Sequence, residues 1–383
     1  MNYKIPVAIA VTLIQTTALR FTAISSTPDI ELIQAEDEVI LLRGDSETSI
    51  KTGEVLQPGD ILIPSSIVKI RCPNGAKPLL PANVSSGVNS TCHLSNRQDE
   101  RLTIIRYRLG GSNPEIPYTL SPRMTYLLDE RPTFHWNEVP GATSYTVKVL
   151  GPGGIIWWEN PAKVTSTELK YPNDAPFLTQ GVQFLLTVTT DQNRSSLEDD
   201  GSGGCFGFEI LPENKRKEVR KRVVDINNSS LTDENKALAL AGVYSTEYLI
   251  TDAIKELRQL EGAKTPFVYS RLGKLYAESG LNLLAEDYYS KAIERFDPIG
   301  HSYNLAEAQA GLAGAKLILG KQEEAEQLET KAKAGYEVFG ERESAKDIEN
   351  ALTELRTKLR EQAENNCQSN PNKSVIIITP RNN

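Results

Sequence analysis

Between Pro266 and Pro298 the sequence PFVYSRLGKLYAESGLNLLAEDYYSKAIERFDP spaces large and small side chains as a pair of closely packed helices requires. Tyr269, Leu272, Gly273 and Tyr276 follow one another at three- and four-residue steps and share a helix face. Gly280 marks a turn, Ala285, Tyr289 and Ala292 line one face of a second helix, and Pro298 ends it. Gly273 lets the two helices approach closely, and the alanines let neighbouring pairs stack with large side chains filling the space between. One such pair cannot bury its apolar faces alone, so the pattern must recur.

It does recur. A looser copy precedes, with Leu240, Ala241, Tyr244, Ala253 and Leu257 in matching places, after helix-start residues at Asn228-Ser229-Ser230 and Thr232-Asp233-Glu234. Another follows, with Leu312, Ala313, Gly320, Ala325 and Ala332. It carries Lys316 where the pattern wants an aromatic residue, and an insertion around His301 to Glu307 predicts a longer first helix. A last helix over Ser344 to Glu364, with Ile348, Leu352, Leu355 and Leu359 as its apolar stripe, would cap the stack. The polar tail 365–383, apart from Val375 to Ile378, predicts disorder.

The order large, Leu, Gly, Tyr, Gly, Ala, Tyr, Ala, Pro resembles the tetratricopeptide repeat. The resemblance implies a helical solenoid over 231–364 whose first helices line a concave groove for a protein or peptide ligand. Carried onto this chain, the groove positions are Leu238, Gly242 and Ser245; Phe267, Ser270, Arg271, Lys274 and Ala277; and Ala310, Gly314 and Leu317. Members that grip a C-terminal carboxylate do so with Lys, Asn and Arg. Leu238 and Gly242 stand here instead, which points to an extended or helical ligand.

Upstream of Pro212 the periodicity changes from helical to alternating. The stretch RPTFHWNEVPGATSYTVKVLG places Phe134 and Trp136 on one side of a strand, turns at Val139-Pro140-Gly141-Ala142, and alternates Tyr145, Val147 and Val149 along the next. Strands at GIIWWE, STELKY, QFLLTVTT and CFGFEIL complete a sandwich over 117–211. Trp136, Ala142 and Tyr145 resemble fibronectin type III or immunoglobulin-like modules, a likeness that implies fold and not function. Earlier still, IELIQ, EVILL, SIVKIRC and LTIIRYRL read as short strands over 30–110. There Gly53, Leu56, Gly59 and Asp60 resemble the FecR-type β domain of bacterial envelope proteins, and Pro58-Gly59-Asp60 has turn chemistry. The fold class expected is therefore multidomain: two all-β modules, a charge-rich helical linker at 213–230, and an all-α repeat solenoid.

The first residues look like an export signal over 1–23. One Lys at position 4 precedes an apolar run from Ile5 to Ile14, and small residues at Ala18 and Ala23 offer cleavage sites. Arg20 interrupts the run short of the roughly 20 residues a span needs, so no stable membrane anchor is expected. Export to the periplasm or the cell exterior suits Cys72 and Cys92, which bracket a Pro-, Gly- and Ser-rich loop well sized for a disulfide. A metal site fails there on spacing, because neither Cys belongs to a CxxC pair and His93 alone cannot complete a tetrahedral set. Cys205 and Cys367 are single thiols whose pairing stays open.

Signs of chemistry are missing from the sequence. The three histidines, His93, His135 and His301, fall in different regions, and His135 alternates away from Phe134 and Trp136 as an exposed strand residue. No nucleophile elbow, phosphate loop or HExxH helix occurs. The glycines around Cys205 read as a turn, and the LEDDGSGG loop with Asp199 and Asp200 reads as solvated in preference to a cation site. No enzyme activity, cofactor or metal is expected. A net charge of -8 argues against nucleic acid as a partner. Asn83, Asn89, Asn193, Asn228 and Asn372 begin N-x-Ser/Thr triplets, which matter only in a host that glycosylates exported proteins. Two functions fit: a non-enzymatic envelope adaptor that binds a protein through the repeat groove, or an envelope sensor in which the FecR-like module receives a signal.

Overall fold

The computed structural model describes residues 30–43, 46–57, 60–66, 68–73, 75, 77, 79–80, 86–88, 92, 108–199, 206–260, 265–296, 303–338 and 342–368. The expected export signal, the LTIIRYRL strand up to Tyr107, Pro58-Gly59, His93, Cys205, Pro298, His301 and the tail beyond Gln368 lie outside them.

The protein is two β-rich units followed by a helical repeat region. The first unit has strands β1 (Ile30–Gln34), β2 (Val39–Arg43), β3 (Ser46–Ile50), β4 (Val55–Leu56), β5 (Ile61–Pro64), β6 (Val68–Arg71), β7 (Leu79–Leu80) and β8 (Ser86–Gly87). They form two antiparallel sheets, in the orders β4-β1-β6-β7 and β3-β2-β5-β8. Leu32, Val39, Leu41, Leu62, Val68 and Ile70 make the core between them, closed by Cys72 joined to Cys92. Asp60 stays buried because Arg43 donates to it from Nε at 2.9 Å and from Nη2 at 2.7 Å, while the Gln57 amide donates at 2.7 Å.

In the second unit β9 (Thr119–Ser121), β11 (Thr133–Trp136) and β14 (Glu168–Lys170) form one sheet, in the order β14-β11-β9. A second sheet has the order β13-β12-β15, from β12 (Tyr145–Leu150), β13 (Ile156–Glu159) and β15 (Leu185–Thr190). A parallel pair, β10 (Thr125–Leu127) with β16 (Phe208–Ile210), completes the unit. Alternation buries Phe134 and Trp136 from β11 against Tyr145, Val147 and Val149 from β12. Tyr145 meets the Trp136 ring edge-on at 5.5 Å, and its hydroxyl accepts from the Val139 amide at 3.2 Å, fixing the turn between the two strands. His135 points the other way, with Nδ1 3.8 Å from Glu168.

Among the described residues eight helices follow: α1 (Glu213–Asn228), α2 (Asp233–Thr246), α3 (Ile250–Arg258), α4 (Pro266–Glu278), α5 (Asn282–Arg295), α6 (Tyr303–Ile318), α7 (Gln322–Val338) and α8 (Arg342–Gln368). Thr232 caps α2 by accepting from the Asn235 amide, and Pro266 opens α4, where a missing N–H costs nothing. The pairs α2/α3, α4/α5 and α6/α7 stack in sequence, and α8 closes the end with Ile348, Leu352 and Leu355 against Ala310, Ala313 and Leu317. The third first helix, α6, is longer than α4. Helix α1 departs from the expected linker. Val219 and Ile226 are buried in the same cluster as α2, so α1 is a packed layer of the helical stack.

Candidate protein-binding groove

The stacking of α4, α5 and α6 is organised around one ring. Tyr289, on α5, is 1% exposed and lies between two glycines on the flanking first helices. A Cβ at Gly273 would come within 2.7 Å of the Tyr289 ring, and one at Gly311 would overlap its outer edge. Gly273 is legible in the repeat pattern; Gly311 is not, because its reason lies in the neighbouring pair.

Ion pairs tie successive pairs together along the same stack. Lys274 on α4 reaches Glu307 on α6 at 3.0 Å. Lys316, which replaces the expected aromatic residue, bridges Glu286 on α5 at 2.7 Å and Glu324 on α7 at 2.6 Å. Burial works to lower the Lys316 pKa, but the bonds to Glu286 and Glu324 prevail and raise it. For Glu286 burial likewise works against the outcome: Lys316 and Lys321 hold its carboxyl below the usual range. Polar cross-links thus do at the third pair what an aromatic side chain does at the second.

Eleven residues were expected to face a partner. Ser245, near the end of α2, is half-buried with its hydroxyl donating to the Ala241 carbonyl, and the other ten divide sharply. Phe267, Ser270, Arg271 and Lys274, all on α4, are partly exposed. Phe267 is held by an edge-on contact with Phe296 at 5.5 Å. Leu238, Gly242, Ala277, Ala310, Gly314 and Leu317 are buried and are not open groove surface. The cause differs by region. Ala310 and Leu317 share a cluster with α8, whereas Leu238 and Gly242 belong to a helix covered on all sides.

Besides α1 and α3, the first β unit packs on α2. Strand β8 runs beside α2, and Leu42 and Ile61, from the outward side of its sheet, are buried in the cluster that contains Leu238. Ile40 and Ile63 pack against the same cluster. The Ser230 hydroxyl donates to Glu47 on β3 at 3.0 Å.

The sandwich is attached elsewhere, to the turns inside the helix pairs. At the first pair the Tyr126 amide donates to the Tyr248 carbonyl at 2.9 Å, and the Thr251 amide at the start of α3 donates to Thr125 Oγ1 at 3.3 Å. At the second pair Arg123 and Asp199, each 1% exposed, form an ion pair of 2.9 Å. Arg123 also donates to the carbonyls of Ser279 at 2.6 Å and Gly280 at 3.1 Å, and its guanidinium lies 3.4 Å from the Phe206 ring centre. Burial pulls the Arg123 pKa down, and Asp199 opposes that. Asp199 accepts the Gly111 amide as well, so it belongs to a buried lock and not to a solvated turn. Asn282 completes the lock by donating to the carbonyls of Arg108 and Gly110, each at 2.7 Å. A Cβ at Gly280 would meet the Leu109 carbonyl oxygen at 2.7 Å, so the turn needs glycine for closeness as well as for its φ of +64°. Repeat logic accounts for Gly280 but is silent on Arg123 and Asp199.

One carboxylate beside this interface is unusual. Asp252, on α3, is pushed up to about 6, first by burial and then by the charge of Asp129, with Lys255 opposing. Among the described residues no group of three or more His, Cys, Asp or Glu could hold a metal ion. No described helix is long and apolar enough to cross a membrane.

Residues 265–337, which hold α4 to α7, match the tetratricopeptide repeat family. No curated protein matches the chain. A repeat of this family makes the helical region a scaffold for protein–protein interaction, and no catalytic family is indicated.

Proposed function

We propose that this chain is an exported, non-enzymatic adaptor of the cell envelope that binds a protein or peptide through the α4 face of its repeat groove. The observation that carries the reading is the strip Phe267, Ser270, Arg271 and Lys274: partly exposed, on one helix face, and bearing Arg271 beside an aromatic ring and Lys274 paired with Glu307. Such a strip suits an extended or helical segment with acidic and apolar side chains. Export is supported by the apolar run after Lys4 and by the Cys72–Cys92 bond, which persists in oxidising compartments. The FecR-type and fibronectin type III or immunoglobulin-like resemblances support positioning modules in front of the repeats.

The test is photo-cross-linking in the native envelope fraction, with the reactive group placed at Ser270 or, as a control, at exposed Gln327 on α7. A defined species linked from 270 alone, and lost in Arg271→Glu, supports the adaptor. Linking that is the same from both positions, or indifferent to the charge reversal, removes the groove from the account. The sensor reading has one observation in its favour, the contact between the first β unit and α2.

A further inference from the structure

An amphipathic first helix of a solenoid keeps one face for solvent or ligand, yet α2 has none. From Ala237 to Tyr244 every residue is buried, as is Asn235. The sequence ALALAGVY is apolar all round, which is the mark of a helix covered on every side. The sheet that covers it is equally unusual. Val39, Leu41 and Leu62 fill the unit's own core, while the cross-strand pairs Leu42/Ile61 and Ile40/Ile63 make its opposite face aliphatic too. Antiparallel sheets of a free-standing unit commonly leave one face polar and wet.

We propose that the first β unit is an intramolecular occupant of the repeat groove, seated at the first-pair end, and that a partner spanning the whole groove must bring its own aliphatic surface to displace it. The proposal rests on the groove reading above and adds the regulation of that site. The two β units are held in different ways. The sandwich is fastened by bonds to backbone carbonyls of the repeats, several of them from buried Arg123, which Asp199 of the same unit holds in place. The first unit meets α2 through aliphatic side chains, with the Ser230–Glu47 hydrogen bond at an exposed edge. Its separate core and its disulfide keep it folded when it leaves the helix. Aliphatic contact is also non-directional, so an incoming aliphatic surface replaces it without leaving buried polar groups unpaired.

The test uses the full chain with spin labels at exposed Thr48 on β3 and exposed Asn228 at the end of α1. Unmodified elsewhere, the chain gives one narrow distance distribution. Leu42→Glu with Ile61→Glu is expected to broaden and lengthen it, with bis-ANS fluorescence rising at least threefold as the α2 face opens. Helical circular dichroism and amide protection at Leu41 and Leu62 stay as they were. Ile63→Ser, a milder change on the same face, gives an intermediate broadening. An unchanged distribution overturns the proposal, and so does broadening that comes with loss of protection at Leu41 and Leu62 and of helical signal in both variants, because unit and helix then form one cooperative structure. Cross-linking from Ser270 separates the two readings. No linked species in any variant sinks the groove and leaves the distance result standing, while a species whose yield is the same in closed and opened chains sinks the competition.

Discussion

Replacing Arg123 tests how firmly the sandwich and the repeats are coupled. The guanidinium is almost fully buried, with Asp199 at 2.9 Å and the carbonyls of Ser279, Gly280 and Thr119 also accepting from it. Arg123→Ala leaves Asp199 buried with a charge that has lost its guanidinium, and it strips three carbonyls of a donor. Removing one member of a buried ion pair costs about 3–5 kcal/mol, a large share of the ~5–15 kcal/mol that holds a domain folded. Asp199→Asn keeps the shape, removes the charge, and should cost somewhat less; the double variant should cost less than the two singles together, by ~2 kcal/mol. The three tryptophans all lie in the sandwich, so fluorescence during urea unfolding follows that unit while circular dichroism at the helical band follows the repeats. The two transitions should coincide in the unmodified chain and separate in Arg123→Ala. A loss below ~1 kcal/mol, additive costs, or transitions that still coincide would refute the coupling.

Other outcomes follow from the same contacts. Gly311→Ala drives a methyl into Tyr289 and should cost about 1–3 kcal/mol in chemical denaturation, part of it recovered by Tyr289→Leu, which shortens the intruding ring. Asp252 is harder to ionise in the folded chain than in the unfolded one, so the folded state holds its proton longer; stability falls as pH rises from about 4 to about 6 and is level above. Asp252→Asn should therefore be more stable than the unmodified chain by ~2 kcal/mol at pH 7.5, with the gain vanishing near pH 4 in paired thermal melts. Replacing Cys72 and Cys92 by Ala frees a loop of 20 residues and should cost the first β unit ~3 kcal/mol, read as lost amide protection at Leu41 and Leu62.

The helical pairs and most strands are legible in sequence because their signals are local. Leu272, Gly273 and Tyr276 recur at helical spacing, and Phe134, Trp136 and Tyr145 alternate as strands do. The open groove is legible only on α4, where both neighbours are other first helices of the same pattern. Around Leu238 and Gly242 the helix is covered by the first β unit, whose β8 runs beside it and whose Leu42 and Ile61 join its apolar cluster from far away in sequence, and nothing in the repeat itself announces it. Asp199 is misjudged for the same reason: an acidic glycine-rich loop looks solvated until Arg123, 76 residues earlier, arrives beneath it. Lys316 looks like a lapse in the pattern until Glu286 and Glu324 are seen on either side.

Among the described residues the sandwich grips the turns of the first and second helix pairs and does not reach that of the third, where none of them lies within 4 Å of a side chain added at Gly320. Growth of the solenoid is thus permitted at one end and barred at the other. A further helix pair inserted ahead of α4 would move Gly280 and Asn282 out of register with Arg123 and the Gly110–Gly111 segment. One inserted between α7 and the capping α8 would lengthen the superhelix without disturbing either β unit, provided it offered α8 the small-residue face that α6 and α7 now present. The chain is built so that its reach can be changed by whole repeats at its far end while its front stays as it is.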